Sequence, residues 1–263
     1  MGTLGKEIYR ERDEQGWICV QDDGMRRYLT FGNQVEQSCM LLADPLRLEH
    51  VHTQAMMLGA LFVRPPERAT LLGLGGGSLA KCLLHLYPGC RVLAVEQRAR
   101  VVAVARDYFA LPHTPRLRVL IAEASDHLAN IRRPNELMFA DLYRADTMDA
   151  VQAAPEFLRA CRASLSSEGV LVVNLWHRDP KQTARAQAAI AKVFDGRLLQ
   201  LDVQSGNRIV YAFAEDLPRP RRQTLFEQAQ GLGQALGIPA RRLVRNLWYQ
   251  NIPTLRRGRL VAG

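Results

Sequence analysis

Four glycines within five positions, Gly73-Leu74-Gly75-Gly76-Gly77, followed by Ser78, constrain this chain more than any other feature. Glycine loses more conformational freedom on folding than any other residue, so such a run implies close backbone approach or backbone angles closed to other residues. Apolar residues 70–74 read as a buried strand and residues 78–87 as a helix closed by Pro88-Gly89. Strand, glycine turn and helix in that order form the setting in which a backbone approaches a nucleotide, with the helix N-terminus offering free N–H groups. The turn alone suits a nicotinamide dinucleotide as well as an adenosyl group.

The pattern around the turn predicts an α/β architecture. Strands at 70–74, 91–96, 117–121, 137–141 and 170–174 alternate with helices at 78–87, 98–109, 125–131, 155–165 and 181–193. Alternation of this kind gives parallel βαβ units with right-handed crossovers, a doubly wound sheet. Strands at 198–203 and 208–213, joined through Ser205-Gly206-Asn207, have no helix between them and are expected to pair antiparallel at one edge, making seven strands. Residues 1–50 read as a small β domain with a hairpin at Asp22-Asp23-Gly24. Apolar spacing at Leu48, Val51, Ala55, Leu58 and Phe62 predicts a helix over 45–61. Residues 51–216 form the nucleotide-binding domain, and 217–263 a basic extension, helical over 223–236 and irregular beyond.

Composition excludes some classes. No apolar run is long enough for a membrane span, and the charged first residues lack a signal-peptide core, so a cytoplasmic location is expected. The five cysteines contain no CxxC pair, and the six histidines include only His50-x-His52 at close spacing, so no metal site is expected. Net charge is +9, much of it from arginines after Leu217. With no accompanying nucleic-acid motif, a solvated surface is the expectation for them.

Three carboxylates stand where a doubly wound fold collects its chemistry, at the carboxyl ends of parallel strands. Glu96 ends the strand after the turn and is placed for ribose hydroxyls. Glu123, within Ala122-Glu123-Ala124, is placed to accept the exocyclic amine of adenine. Asp141, delivered by four apolar residues, is placed as a general base for an amine or as a partner for a cation. Tyr143 and Asp146 follow in its loop as candidate substrate contacts.

These stretches, with Gln37-Ser38, Asp44-Pro45-Leu46-Arg47-Leu48 and the run from Glu156 to Asn174, resemble the spermidine synthases, the polyamine aminopropyltransferases, in their diverged bacterial branch. The resemblance runs from Tyr28 to about Ala214. It implies a Rossmann-like, class I methyltransferase-like fold, and a homodimer. It also implies decarboxylated S-adenosylmethionine as donor and an amine such as putrescine as acceptor, with no metal. Gly73, Gly75, Gly76, Gly77, Glu96 and Glu123 would then hold the donor, and Asp141 would deprotonate the attacking amine. Gln37, His52, Tyr143 and Asp146 fall on the acceptor side. The chain departs from the family in four places. Gly76 stands where the family has an aspartate, Arg144 where it has a second aspartate, His52 where it has a tyrosine, and Ala122-Glu123 where it has glycine-aspartate. The alternatives are an S-adenosylmethionine-dependent methyltransferase of unknown acceptor and a nucleotide-binding relative without catalysis.

Overall fold

The computed structural model describes residues 4–33, 35–128, 133–143, 149–176 and 179–257, with the side chains of 256 and 257 excepted. The strands β1 (Lys6–Asp13), β2 (Gly16–Asp22), β3 (Arg26–Thr30) and β4 (Glu36–Leu41) form an antiparallel sheet in chain order. The Asp-Gly turn between β2 and β3 is tied by the Asp22 and Asp23 carboxylates, which accept from the N–H groups of Gly24 and Met25. One face of this sheet, Ile18, Val20, Leu29 and Met40, packs on Val101, Val104 and Phe109 of the following unit.

That unit is a seven-stranded sheet built from β5 (Arg68–Leu72), β6 (Arg91–Glu96), β7 (Leu117–Ile121), β8 (Asn135–Ala140), β9 (Leu165–Trp176), β10 (Leu198–Val203) and β11 (Asn207–Phe213). Its order is β10-β11-β9-β8-β5-β6-β7, and every neighbouring pair from β9 to β7 is parallel. As expected, β10 and β11 pair antiparallel. It is β11 that lies against β9, so a single reversed strand sits within the sheet. The buried run Val170–Leu175 in β9 reflects a strand covered on both faces. Helices α2 (Ser78–Leu86), α3 (Ala99–Tyr108), α4 (Ala124–Leu128), α5 (Pro155–Ala163) and α6 (Pro180–Val193) connect the strands. Among the described residues, no helix is long and apolar enough to cross a membrane.

Two expectations differ from the structure. The helix expected over 45–61 is confined to α1 (Val51–Met56), followed by a 3-10 turn at Met57–Phe62. The tighter coil brings Gly59 against β9: a Cβ there would lie 2.4 Å from Val172 Cγ2. The same apolar spacing serves either coil, and the close contact selects the tighter one. The region after 236 is helical, with α7 (Arg222–Leu236), α8 (Ala240–Gln250) and α9 (Ile252–Arg257). Gly237 ends α7 in the left-handed conformation, φ 63°. Leu243, Val244 and Leu247 then bury the inner face of α8 in the main core. The end of α8 also covers the outer strand. Asn251 exchanges two hydrogen bonds with the backbone of Gln200, at 3.0 and 2.7 Å, and Gln250 Oε1 accepts from the N–H of Asp202 at 2.8 Å. Side-chain amides thus stand in for the next strand at an edge that would otherwise be open.

Candidate functional site

The order in which strands are added reverses between β5 and β8, which run parallel, and this is the place where doubly wound folds open a ligand crevice. A cavity of about 300 Å³ opens there, closed on one side by β4 and the residues that lead into it. Gly73, Glu96, Glu123 and Asp141 follow or end β5, β6, β7 and β8 and line it together.

The glycine turn requires its composition. Gly73 has φ 91°, and a Cβ on it would lie 2.4 Å from the Asp141 carbonyl oxygen. The turn after β5 and the loop after β8 therefore share one contact that only glycine permits. Gly73→Ala is expected to destabilise the protein by more than about 1 kcal/mol and to abolish protection by adenosyl ligands. Thermal melts with and without methylthioadenosine check both outcomes. Gly75 lines the cavity, whereas a Cβ on Gly76 would meet Phe109 and Ser38, and one on Gly77 would meet Leu111. The N–H of Gly76 donates to Ser38 Oγ at 2.8 Å, joining the turn to β4.

Glu96 is buried, and its carboxylate accepts from the N–H groups of Leu74 and Arg98 at 3.1 and 3.0 Å. Burial raises its pKa, and these donors oppose the rise. Behind it the Arg98 guanidinium forks onto Asp13 of β1 at 2.9 and 2.7 Å and stacks over Phe31, its charge centre 4.5 Å from the ring centre. Glu123 is exposed at the rim.

Asp141 keeps contact with the cavity but is otherwise enclosed by protein. That enclosure raises its pKa, against the hydrogen bond from Asn174 and the nearby His50. Asn174 Nδ2 donates to Asp141 Oδ1 at 2.8 Å, and Asn207 Nδ2 donates to Asn174 Oδ1 at 2.9 Å. Ser205 Oγ donates to Asn207 Oδ1 at 2.8 Å. A polar chain thus runs from the β10–β11 turn to the carboxylate. Tyr143 Oη donates to the Asn174 carbonyl at 3.1 Å, and burial, with Asp141 next, holds its phenol well above the ordinary range.

Gln37 and His52 line the cavity opposite Asp141's strand. Burial, assisted by His50, pushes His52 down to about 3, so it is neutral at physiological pH. His50 Nε2 stands 3.0 Å from Glu36 Oε2, and the two imidazole rings are 5.0 Å apart. Asp146 and Arg144 lie outside the described residues. Among the described residues, no cluster of His, Cys, Asp and Glu is arranged to hold a metal ion.

The structure adds Ser38, Glu36, His50, Asn174 and Asn207 to the sequence candidates. Asn174 carried a signal, as a polar residue within an otherwise apolar strand end.

A polyamine aminopropyltransferase of Neisseria meningitidis is 32% identical over 238 residues, covering 89% of this chain and 90% of its own. This chain belongs to the polyamine aminopropyltransferase family. As a member of that family it is a transferase. Residues 44–214 also belong to the domain family described as precorrin methyltransferase domain. A probable spermidine synthase from Corynebacterium glutamicum shares the fold at a TM-score of 0.72 and 20% identity over 90% of both chains. Human methyltransferase-like protein 13, solved in complex with SAH, has a TM-score of 0.64 and 26% identity over 72% of this chain and 93% of its own. Aminopropyltransferases and methyltransferases are therefore both among the proteins that share this fold.

Proposed function

We propose that this aminopropyltransferase family member transfers the aminopropyl group of decarboxylated S-adenosylmethionine to an amine such as putrescine. The charge of the cavity carries the reading. Glu36, Glu96, Glu123, Asp141 and Asp149 line it, and Arg98, the one arginine among its described lining, is engaged by Asp13. A crevice of that sign concentrates a sulfonium donor and an ammonium acceptor.

In the reaction, the nitrogen lone pair of the neutral amine attacks the aminopropyl carbon bonded to sulfur. The carbon–sulfur bond breaks, its electron pair stays on sulfur, and methylthioadenosine leaves. Asp141 takes the proton from the acceptor's ammonium before attack, freeing that lone pair, its raised pKa making it a better base, and the product leaves as a secondary ammonium. Glu96 holds the ribose, Glu123 the adenine amine, and Gly73 and Gly75 let the backbone approach the donor. Gln37, His52 and Tyr143 face the acceptor. Because the sulfonium is already electrophilic, alignment of the amine supplies much of the catalysis.

Methyl transfer from S-adenosylmethionine is the second reading, favoured by the turn itself. Gly76 offers no carboxylate to the donor's amine, and Phe109 and Ser38 fill the space where a side chain would begin. Purified protein incubated with each donor and a panel of amines separates the two. Methylthioadenosine release with decarboxylated donor is the expected result. S-adenosylhomocysteine as the only nucleoside product would overturn it in favour of methyl transfer.

A further inference from the structure

The cavity explains the carboxylates of this protein and leaves its positive charge unused. Residues 217–263 hold nine arginines, no lysine and one acidic residue, Glu227, and so carry +8 of the net +9. Residues 1–216 are close to neutral, at +1. The structure gathers part of this charge on one surface. Helices α7 and α8 bury Leu225, Ala229, Leu232 and Leu236 from one and Leu243, Val244 and Leu247 from the other. Arg222 and Arg241 line a single shallow groove between them, with Phe226 and Glu227, and Arg241 Nη1 reaches Gln230 Oε1 at 3.5 Å. Arg245 and Tyr249 continue from Arg241 at spacings of four and eight residues, one line along the outer face of α8. All three are exposed, Tyr249 to 56%. Among the described residues, none of Arg219, Arg221, Arg222, Arg241, Arg242 and Arg245 pairs with a carboxylate, whereas arginines elsewhere, such as Arg98 and Arg208, do.

We propose that the outer face of α7 and α8 binds single-stranded nucleic acid. A surface of like charges without internal partners repels itself and is neutralised by a polyanion, with release of that polyanion's counterions. Arginine suits phosphate because its planar fork donates two parallel hydrogen bonds. The aromatic rings select among polyanions. Arg222 lies over the Phe226 ring at 5.2 Å, and Tyr249 presents an exposed ring in line with Arg241 and Arg245. Phe226 is partly buried against the core, so Tyr249 is the ring open to stacking, and an exposed ring beside phosphate-binding arginines gains from unstacked bases, which a duplex does not offer. This surface is independent of the transfer reaction.

Fluorescence anisotropy on the full chain tests the proposal, with a labelled oligouridine, a duplex DNA of equal length, and polyglutamate as competitor. Oligouridine is expected to bind at about 50 mM salt and to lose at least tenfold in affinity by about 200 mM. The double variant Arg241→Ala/Arg245→Ala is expected to reduce the slope of log K against log salt by about 1.4, two single-strand contacts of ~0.7 each. Tyr249→Ala is expected to weaken binding about tenfold with the slope unchanged. Methylthioadenosine release and circular dichroism of both variants are expected to match the parent, which separates loss of binding from loss of fold. No binding at low salt, an unchanged slope in the double variant, or duplex bound as tightly as the single strand would overturn the proposal. Polyglutamate displacing oligouridine at lower charge concentration would overturn it in favour of an acidic protein partner.

Discussion

Asp141→Asn is expected to slow methylthioadenosine release by about two to four orders of magnitude while protection by adenosyl ligands against heat persists. The amide keeps the shape of the carboxyl and its place beside Asn174, so the loss isolates proton transfer from donor binding. Melting temperature separates this outcome from simple damage. A carboxyl whose folded pKa is raised costs stability that accrues as pH rises above the unfolded value of about 3.9 and is complete above the folded value, so removing its charge leaves the melting temperature unchanged or higher at neutral pH. In the parent, rate falls as pH drops through the Asp141 titration, and that acid limb lies above the ordinary carboxylate value of about 3.9. Asn174 donates to the charged form, so Asn174→Ala is expected to move the limb to still higher pH. Asn207→Ala acts in the same direction through Asn174. An Asp141→Asn enzyme that retains full activity would remove the carboxylate from the chemistry.

Arg98→Ala is expected to cost about 3 kcal/mol, by leaving a largely enclosed carboxylate without its partner. The Arg98 side chain is 5% exposed and that of Asp13 22%. The substitution also removes a donor to the Gly16 carbonyl and the cation over Phe31. In a chain of this size the loss corresponds to a melting point lower by roughly 6–12 °C. Burial by itself would raise Asp13, but the Arg98 hydrogen bond and the backbone donors of Gln15 and Gly16 leave its carboxyl below the ordinary range. The pair's contribution is therefore complete above the unfolded pKa of about 3.9 and is lost as pH falls through the lower folded value. The parent and Arg98→Ala melting curves are thus expected to converge in acid and to differ most near neutrality. Equal melting temperatures at pH 7 would show that the Arg98–Asp13 pair adds nothing to the docking of the sheet.

The parts of the fold legible in the sequence are those set by local pattern. The glycine turn, the alternation of strands and helices, and the closing hairpin each follow from short-range periodicity or from glycine's backbone freedom. Glu96 and Asp141 were visible for the same reason, each ending an apolar strand of a parallel sheet. Asn207 could not be recognised in this way, since an asparagine in a turn is ordinary and its reach to Asn174 depends on β11 lying beside β9. Ser38 and Asp13 act across 38 and 85 residues of chain, on partners that no spacing reveals. The helix expected over 45–61 failed where Gly59 meets Val172, because apolar spacing of three and four residues does not record how closely a backbone must approach its neighbour. The last helices were missed because exposed arginines mask the apolar stripe of α8 when composition is read as a whole.

The amide side chains that cover β10 set an order on how the protein is made. Asn251 and Gln250 follow Gln200 and Asp202 by about fifty residues, so on a ribosome the sheet completes its strands before its border is covered. At ≈ 5–20 residues per second that interval lasts several seconds, during which a nascent chain presents a free strand to any other nascent chain nearby. Covering of this edge is therefore the last step of the sheet's assembly in chain order.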